Sequence, residues 1–305
     1  MSFDIVVAIF VAVFGLCFGS FYNVVILRGL SGESIAFPGS KCPKCDTPLK
    51  WWHNIPLMSF LLLRGKCAFC GCKISVQYPL VELITMLMFL GVYFKWGFGL
   101  KTLFICGIFS LFLITMVTDI KERVILTHHA YILAGVGLLY SVFGGVNAIY
   151  ESLLGILVGI VVMEILARLG YLFAGQRAFG EGDSYIAAAL GAIFGWQNVL
   201  IILLAGFVLQ FVFSLPLFLW NFVKMGKGKL ALELVLFLVL AFLMGFYRED
   251  LDSVIYTSGL LLLVLVALHL IRGILQSLKT PSNCTYLPYV PAMVVAAYVG
   301  VFLWF

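Results

Sequence analysis

Thr118-Asp119-Ile120-Lys121 closes one long apolar run, and Gly180-Glu181-Gly182-Asp183 opens another. Each segment sets a carboxylate beside a hydrophobic stretch, where charge is expensive and an ionisable side chain is a functional candidate by default. Working outward from these two points, apolar runs lie near 3–27, 79–95, 101–119, 130–147, 149–170, 184–196, 198–222, 230–247, 254–276 and 287–305. A spanning helix needs about 20 mostly apolar residues. The run 184–196 is too short to cross alone, so it is expected to be a half-helix or to merge with its neighbour. The runs predict an all-α polytopic membrane protein with eight to ten transmembrane helices. Composition agrees, with 63% hydrophobic and 11% charged residues and a mean hydropathy of +1.14, against about 25% charged in soluble domains. The first run lacks a basic leading region and stays apolar through Leu27, so it reads as a retained anchor rather than a cleaved signal.

Basic residues set the orientation. With the N-terminus outside and ten alternating spans, the outside loops hold Lys95, Lys101 and Arg248, and the other 16 of the 19 lysines and arginines fall inside. The opposite orientation reverses that ratio. The net charge of +5 is therefore a topology signal, and no nucleic-acid partner is expected.

The one sizeable polar segment, 28–78, carries five of the eight cysteines and is cytoplasmic by the charge count. Cys42-Pro43-Lys44-Cys45 and Cys67-Ala68-Phe69-Cys70 are two C-x2-C pairs with 21 residues between Cys45 and Cys67. Each pair lets two thiolates reach one ion from a tight turn, and Gly71 suits the φ > 0 position of such a knuckle. Four thiolates at this spacing suit a closed, structural Zn²⁺ site. Two disulfides or free thiols are the alternatives, and a reducing compartment disfavours the former. Cys72 is a spare thiol that competes with Cys70. Cys17, Cys106 and Cys284 read as small core residues, and His53 as solvated surface.

Asp119 ends the third run and Asp183 follows an inside loop, so both acids are expected at the cytoplasmic membrane face at similar depth. Paired carboxylates that share a proton divide into acid and base. The base activates a water that attacks a peptide carbonyl, and the acid later protonates the leaving amine. Gly180 and Gly182 permit close backbone approach or φ > 0 around the second acid, and an extended substrate could pair there by strand addition. The bland readings are a helix N-cap for Asp183 and an interfacial charge cluster for Asp119 with Lys121, Glu122 and Arg123. From the residues alone the choice lies between a hydrolase and an ion-coupled transporter using the two aspartates as a proton relay.

Order and spacing of several motifs go further. Phe18-Gly19-Ser20-Phe21-Tyr22-Asn23 leading to Arg28, the two C-x2-C pairs, Gln77-Tyr78-Pro79-Leu80-Val81-Glu82-Leu83, Asp119, Gly180-Glu181-Gly182-Asp183 with Ala187–Ala192, and Leu287-Pro288-Tyr289-Val290-Pro291-Ala292 follow one another along the chain. Together they resemble the type 4 prepilin peptidases, membrane aspartic proteases of the G-x-G-D class. The resemblance implies Asp119 and Asp183 as the catalytic pair. It implies cleavage of the basic leader of prepilins and pseudopilins at the cytoplasmic face of the bacterial inner membrane, after a glycine that precedes the substrate's hydrophobic helix. It also implies N-methylation of the new terminus with S-adenosylmethionine, to which Glu82 is matched. The expected organisation is then a first helix at 1–27, a zinc-loop domain at 28–78, a catalytic core at 79–222, extra helices at 223–283 and a last helix at 284–305.

Three departures stand out. Val124-Ile125-Leu126-Thr127 lacks the proline usual after the first aspartate. Tyr185 stands where lysine is common. The runs 230–247 and 254–276 are additional. Among the remaining polar residues, His128 and His129 are expected at the interface, and Arg28 is expected to snorkel to phosphate. Asn23 is expected to hydrogen-bond inside the bundle, and Glu164 and Glu233 to meet a substrate, a neighbouring helix or a water-filled cavity. Trp51, Trp52, Trp96 and Trp196 read as interface anchors.

Overall fold

The computed structural model describes residues 3–174, 177, 179–224, 226–247, 253–278 and 288–304. Its long helices are α1 (Phe3–Ser31), α3 (Gln77–Trp96), α4 (Leu100–Glu122), α5 (Thr127–Phe143), α6 (Val146–Ala174), α7 (Glu181–Lys224), α8 (Gly228–Phe246), α9 (Ser253–Leu278) and α10 (Val290–Trp304). A short helix, α2 (Met58–Leu62), and a 3-10 turn (Trp51–Asn54) lie in the polar segment between α1 and α3. Among the described residues, extended pairing is limited to two isolated bridges, Lys41 with Pro48 and Lys66 with Lys73. Among the described residues, six helices can cross a membrane by length and composition: the segments Asp4–Ser31, Gln77–Trp96, Leu100–Glu122, Val146–Leu169, Glu181–Lys224 and Gly228–Phe246. Tyr256–Leu270 and Val290–Leu303 are shorter apolar stretches.

The expected short run 184–196 merges with 198–222 into α7, which is broken at Gly195 (φ 79°, ψ 171°). A left-handed φ of this kind strains any residue with a Cβ. The break reverses the chain. Phe179, just before α7, lies with its ring 5.5 Å from that of Phe207, whereas a straight helix from 181 to 207 would separate its ends by about 39 Å. The two limbs of α7 therefore run in opposite directions, and among the described residues the long helices make ten legs.

The core sits where α4, α5, α6, α7 and α10 meet, around Phe109, Phe112, Leu133, Met163, Leu190, Ile202 and Met293. Backbones touch most closely between α6 and the first limb of α7. A Cβ on Gly191 would lie 2.0 Å from the Gly155 carbonyl oxygen, and the Ser152 hydroxyl donates to the Ala192 carbonyl at 2.8 Å. Small residues at helix crossings allow such approach, and dispersion contacts then hold the helices in lipid. Gly15 and Gly19 do the same between α1 and α3, against Met86 and Glu82.

Other expectations are resolved here. Arg28 does not reach outward to phosphate. Its guanidinium donates to the carbonyls of Ser34, Ile35, Pro38 and Gly39 and folds the chain leaving α1. Asn23 donates to the Gly19 and Tyr78 carbonyls, joining α1 to α3. His53 is packed between Trp52 and Phe69 rather than solvated. Cys106 is buried as expected, Cys17 is exposed on α1, and Cys284 and Leu287 lie outside the described residues.

Candidate active site

Asp119 lies in the last turn of α4, which ends at Arg123 in the left-handed conformation with its N–H donated back to the Asp119 carbonyl at 3.0 Å. The side chain is buried with Thr115 and Thr118. The backbone of Val290, in the first turn of α10, lies beside its carboxylate. Its Oδ2 is buried and finds no hydrogen-bond partner among the described residues. Native structures rarely leave such an atom unpaired, and the exceptions mark functional sites or a place for water.

Asp183 lies in the first turn of α7, also buried. It is not the N-cap. Its Oδ2 accepts the Gly180 N–H at 2.9 Å, the reach-back of a third helical residue to the capping position. The G-x-G-D spacing thus fixes the carboxylate locally. Neither Gly180 nor Gly182 adopts a positive φ. Gly182 is required for space, because a Cβ there would lie 2.6 Å from the Ile125 side chain. Ile125 belongs to the α4–α5 connection, so this contact presses the segment after Asp119 onto the segment bearing Asp183. The two carboxylates lie within electrostatic reach of each other.

Three features around the pair carried little signal in the sequence. Phe179 packs edge-on against Phe207 and tilted against Tyr289, at 5.5 and 5.2 Å between ring centroids. The Tyr289 hydroxyl donates to the Leu203 carbonyl at 2.8 Å. These contacts pin the start of α10 beside the aspartates, with Val290 next to Asp119. Arg177 donates to the Phe179 carbonyl at 2.9 Å and pairs with Glu164 and, at 3.4 Å, with Glu181. Ser184 also donates to Glu164, at 3.4 Å. Glu164, flagged as an acid in an apolar run, is therefore the anchor on α6 for the loop that carries Asp183. Tyr185, at the departure from lysine, packs against Tyr131 of α5 at 5.8 Å.

His129 is buried with its Nδ1 unpartnered, while His128 remains exposed and touches its ring. Glu82 lies elsewhere, on the seam of α1, α3 and the polar segment. Its Oε2 accepts the Leu57 N–H at 2.8 Å, and Ser20 of α1 lies close by. Glu233 on α8 faces His269 on α9 at 3.9 Å.

The cysteine pairs converge. The Sγ atoms of Cys42, Cys45, Cys67 and Cys70 all lie within 4.8 Å of one another and can hold a metal ion. The two halves are built alike. Cys42 N–H donates to Thr47 O, and Cys67 N–H to Cys72 O. Asp46 N–H donates to Cys42 O, and Gly71 N–H to Cys67 O. Asp46 (φ 52°) and Gly71 (φ 68°) both take the left-handed turn. Backbone N–H groups of Cys70 and Phe69 directed at the Cys67 sulfur hold its thiol down at about 6, which favours the thiolate that a metal requires.

The chain is similar to known proteins over most of its length. Residues 13–96 match the bacterial peptidase A24 N-terminal domain, and residues 106–215 match the type IV leader peptidase family. A prepilin leader peptidase/N-methyltransferase from Myxococcus xanthus is 37% identical over 199 residues, covering 65% of this chain and 59% of its own length. One from Klebsiella pneumoniae is 35% identical, covering 60% of this chain and 83% of its own length. One from Neisseria gonorrhoeae is 36% identical, covering 60% and 73%. No solved structure matches the chain. With an α-helical membrane fold, two buried aspartates on adjoining helix ends and relatives matched over most of their length, the chain belongs to the type IV prepilin leader peptidase family.

Proposed function

We propose that this protein is a membrane aspartic endopeptidase that removes the leader of type IV prepilins and pseudopilins, with Asp119 and Asp183 as the catalytic pair. The observation that carries the reading is two buried carboxylates brought near each other from separate helix ends, one of them with an oxygen that has no partner among the described residues. One carboxylate takes a proton from water, and the hydroxide attacks the scissile carbonyl carbon. The other carboxyl group, protonated, donates to the carbonyl oxygen. Collapse of the tetrahedral species breaks the C–N bond, and a proton passes to the leaving amine. Gly180 N–H holds the Asp183 carboxylate in place while this happens. The relatives give no support to an ion-coupled transporter.

The orientation that fits the basic residues puts the N-terminus outside and the cysteine segment in the cytoplasm of a bacterial inner-membrane protein, with the aspartates near the cytoplasmic face. The substrate is read as carrying glycine before the cut, followed by a hydrophobic helix in lipid; nucleic acid has no part. The four thiolates are read as a structural Zn²⁺ site that holds the segment 28–78 together. By the relatives' names, a second activity is N-methylation of the released terminus. S-adenosylmethionine would supply the methyl group, and Glu82 is the residue we assign to that step. The division at 1–27, 28–78, 79–222, 223–283 and 284–305 belongs to the same reading.

The test is a mass-spectrometric assay of purified protein with a prepilin, with and without S-adenosylmethionine. Cleavage after the glycine is expected, with an added methyl mass on the product when the donor is present. Intact prepilin with well-folded enzyme would overturn the peptidase reading, and a cleaved but never methylated product would remove the second activity.

A further inference from the structure

The two halves of the metal centre share one backbone plan but differ at one position. Thr47 and Cys72 occupy equivalent places, each two residues beyond the second cysteine of its pair and each accepting the N–H of the first. In the first half the Thr47 hydroxyl turns back to the Cys45 carbonyl at 3.3 Å. In the second half the side chain is a thiol, and its Sγ lies 3.7 Å from Cys42 Sγ. Cys70 Sγ lies 3.9 Å from the same atom.

These two distances can be compared with what a metal demands. Zn–S bonds of about 2.3 Å in a tetrahedron place neighbouring sulfurs about 3.8 Å apart. Both Cys70 and Cys72 therefore stand one tetrahedral edge from Cys42. Cys70 is the more exposed of the two, and the turn between them is a single glycine, Gly71, in the left-handed conformation. Swapping the sulfur that faces the ion requires side-chain rotation and adjustment of that turn, with the Cys67–Cys72 backbone bond already in place.

We propose that Cys72 is a fifth ligand-competent thiol of this centre, able to take the coordination position of Cys70 on a soft d¹⁰ divalent cation such as Zn²⁺. The centre then keeps its metal when Cys70 is lost or chemically blocked, a redundancy that the first half, with Thr47, does not have. The inference rests on the metal reading of the four cysteines and is independent of the peptidase reading.

The experiment measures zinc per chain by elemental mass spectrometry on the full-length protein in detergent, before and after dialysis against a chelator. It compares wild type, Cys70→Ser, Cys72→Thr, Cys45→Ser and the double variant Cys70→Ser/Cys72→Thr, where threonine copies the residue of the first half. Wild type, Cys72→Thr and Cys70→Ser are expected to retain one zinc. Cys45→Ser and the double variant are expected to lose it. Absorption of the cobalt-substituted proteins adds a second readout: thiolate-to-cobalt charge transfer in Cys70→Ser should keep wild-type intensity, and should fall when Cys72 is also replaced. Loss of zinc from Cys70→Ser alone, to the level of the double variant, would overturn the proposal while leaving the four-cysteine centre intact. Wild type without zinc would overturn both.

Discussion

The first limb of α7 and the α8–α9 hairpin are both apolar helices of one chain, yet they behave as opposites. In the first limb, glycine lets α6 approach until main chains touch, and Ile186, Ala187, Ala189 and Leu190 are completely buried. In the hairpin, α8 and α9 pack chiefly on each other, through Met244 against Gly259 and Leu230 against Gly273. Leucines, valines and phenylalanines are exposed around most of α8, and Phe242 is 71% exposed. Lipid tails solvate such a surface as well as leucine does, so no burial is needed to keep the hairpin stable. Hydropathy alone does not separate a helix that builds a site from one that fills membrane; backbone proximity does.

The same substitution in both places gives the largest contrast. Gly191→Ala should cost about 3 kcal/mol or more, since its Cβ would meet main-chain atoms that cannot rotate away. The variant is expected to be recovered poorly and to melt early in detergent. Gly245→Ala on α8 meets nothing within 4 Å. It should be neutral or stabilise by about 0.5–1 kcal/mol through helix propensity. Equal melting temperatures for the two variants would break the comparison.

A smaller effect is expected at the anchor of the Asp183 loop. Arg177→Gln and Glu164→Gln each release Phe179 and the chain before Gly180 from α6. Misplacement of a catalytic group by an ångström can slow turnover about a hundredfold, so roughly ten- to a hundredfold lower kcat with little change in KM is expected. Singles with wild-type kcat would show that the ion pair is only decoration.

The smallest effect should come from the hairpin itself. Replacing residues 225–279 by a short flexible linker removes two legs, so α10 keeps its direction and can still lie beside Asp119. Cleavage in the mass-spectrometric assay is expected to stay within about threefold of wild type by the near-neutral behaviour of changes remote from packed sites. Complete loss would make α8 and α9 part of the site.

Much of this was legible in the sequence, and the rest has physical reasons for being hidden. Apolar runs are a one-dimensional signal, so the long helices were readable to within a few residues. The run 184–196 looked too short to cross because Gly195 turns the chain back, and one glycine among thirty does not announce which of them breaks a helix. Asp119 and Asp183 were visible because charge in apolar surroundings is rare. Val290 beside Asp119 was not, since nothing in an apolar residue marks it as the neighbour of a carboxylate. Arg177 pairs with Glu164 across a loop, at no fixed spacing. Gly182 was singled out for backbone freedom but serves as room for Ile125, a distinction that depends on the neighbour and not on the glycine.

The central claim is that Asp119 and Asp183 together hydrolyse the leader peptide bond. The most direct test is single-turnover cleavage of a prepilin by wild type, Asp119→Asn and Asp183→Asn, with equal melting temperatures established first. General acid–base groups contribute about 10²–10⁴-fold each, so both variants should fall at least that far. Because the two act as one unit, the double variant should be hardly slower than either single. Near-wild-type cleavage by either variant would contradict the account.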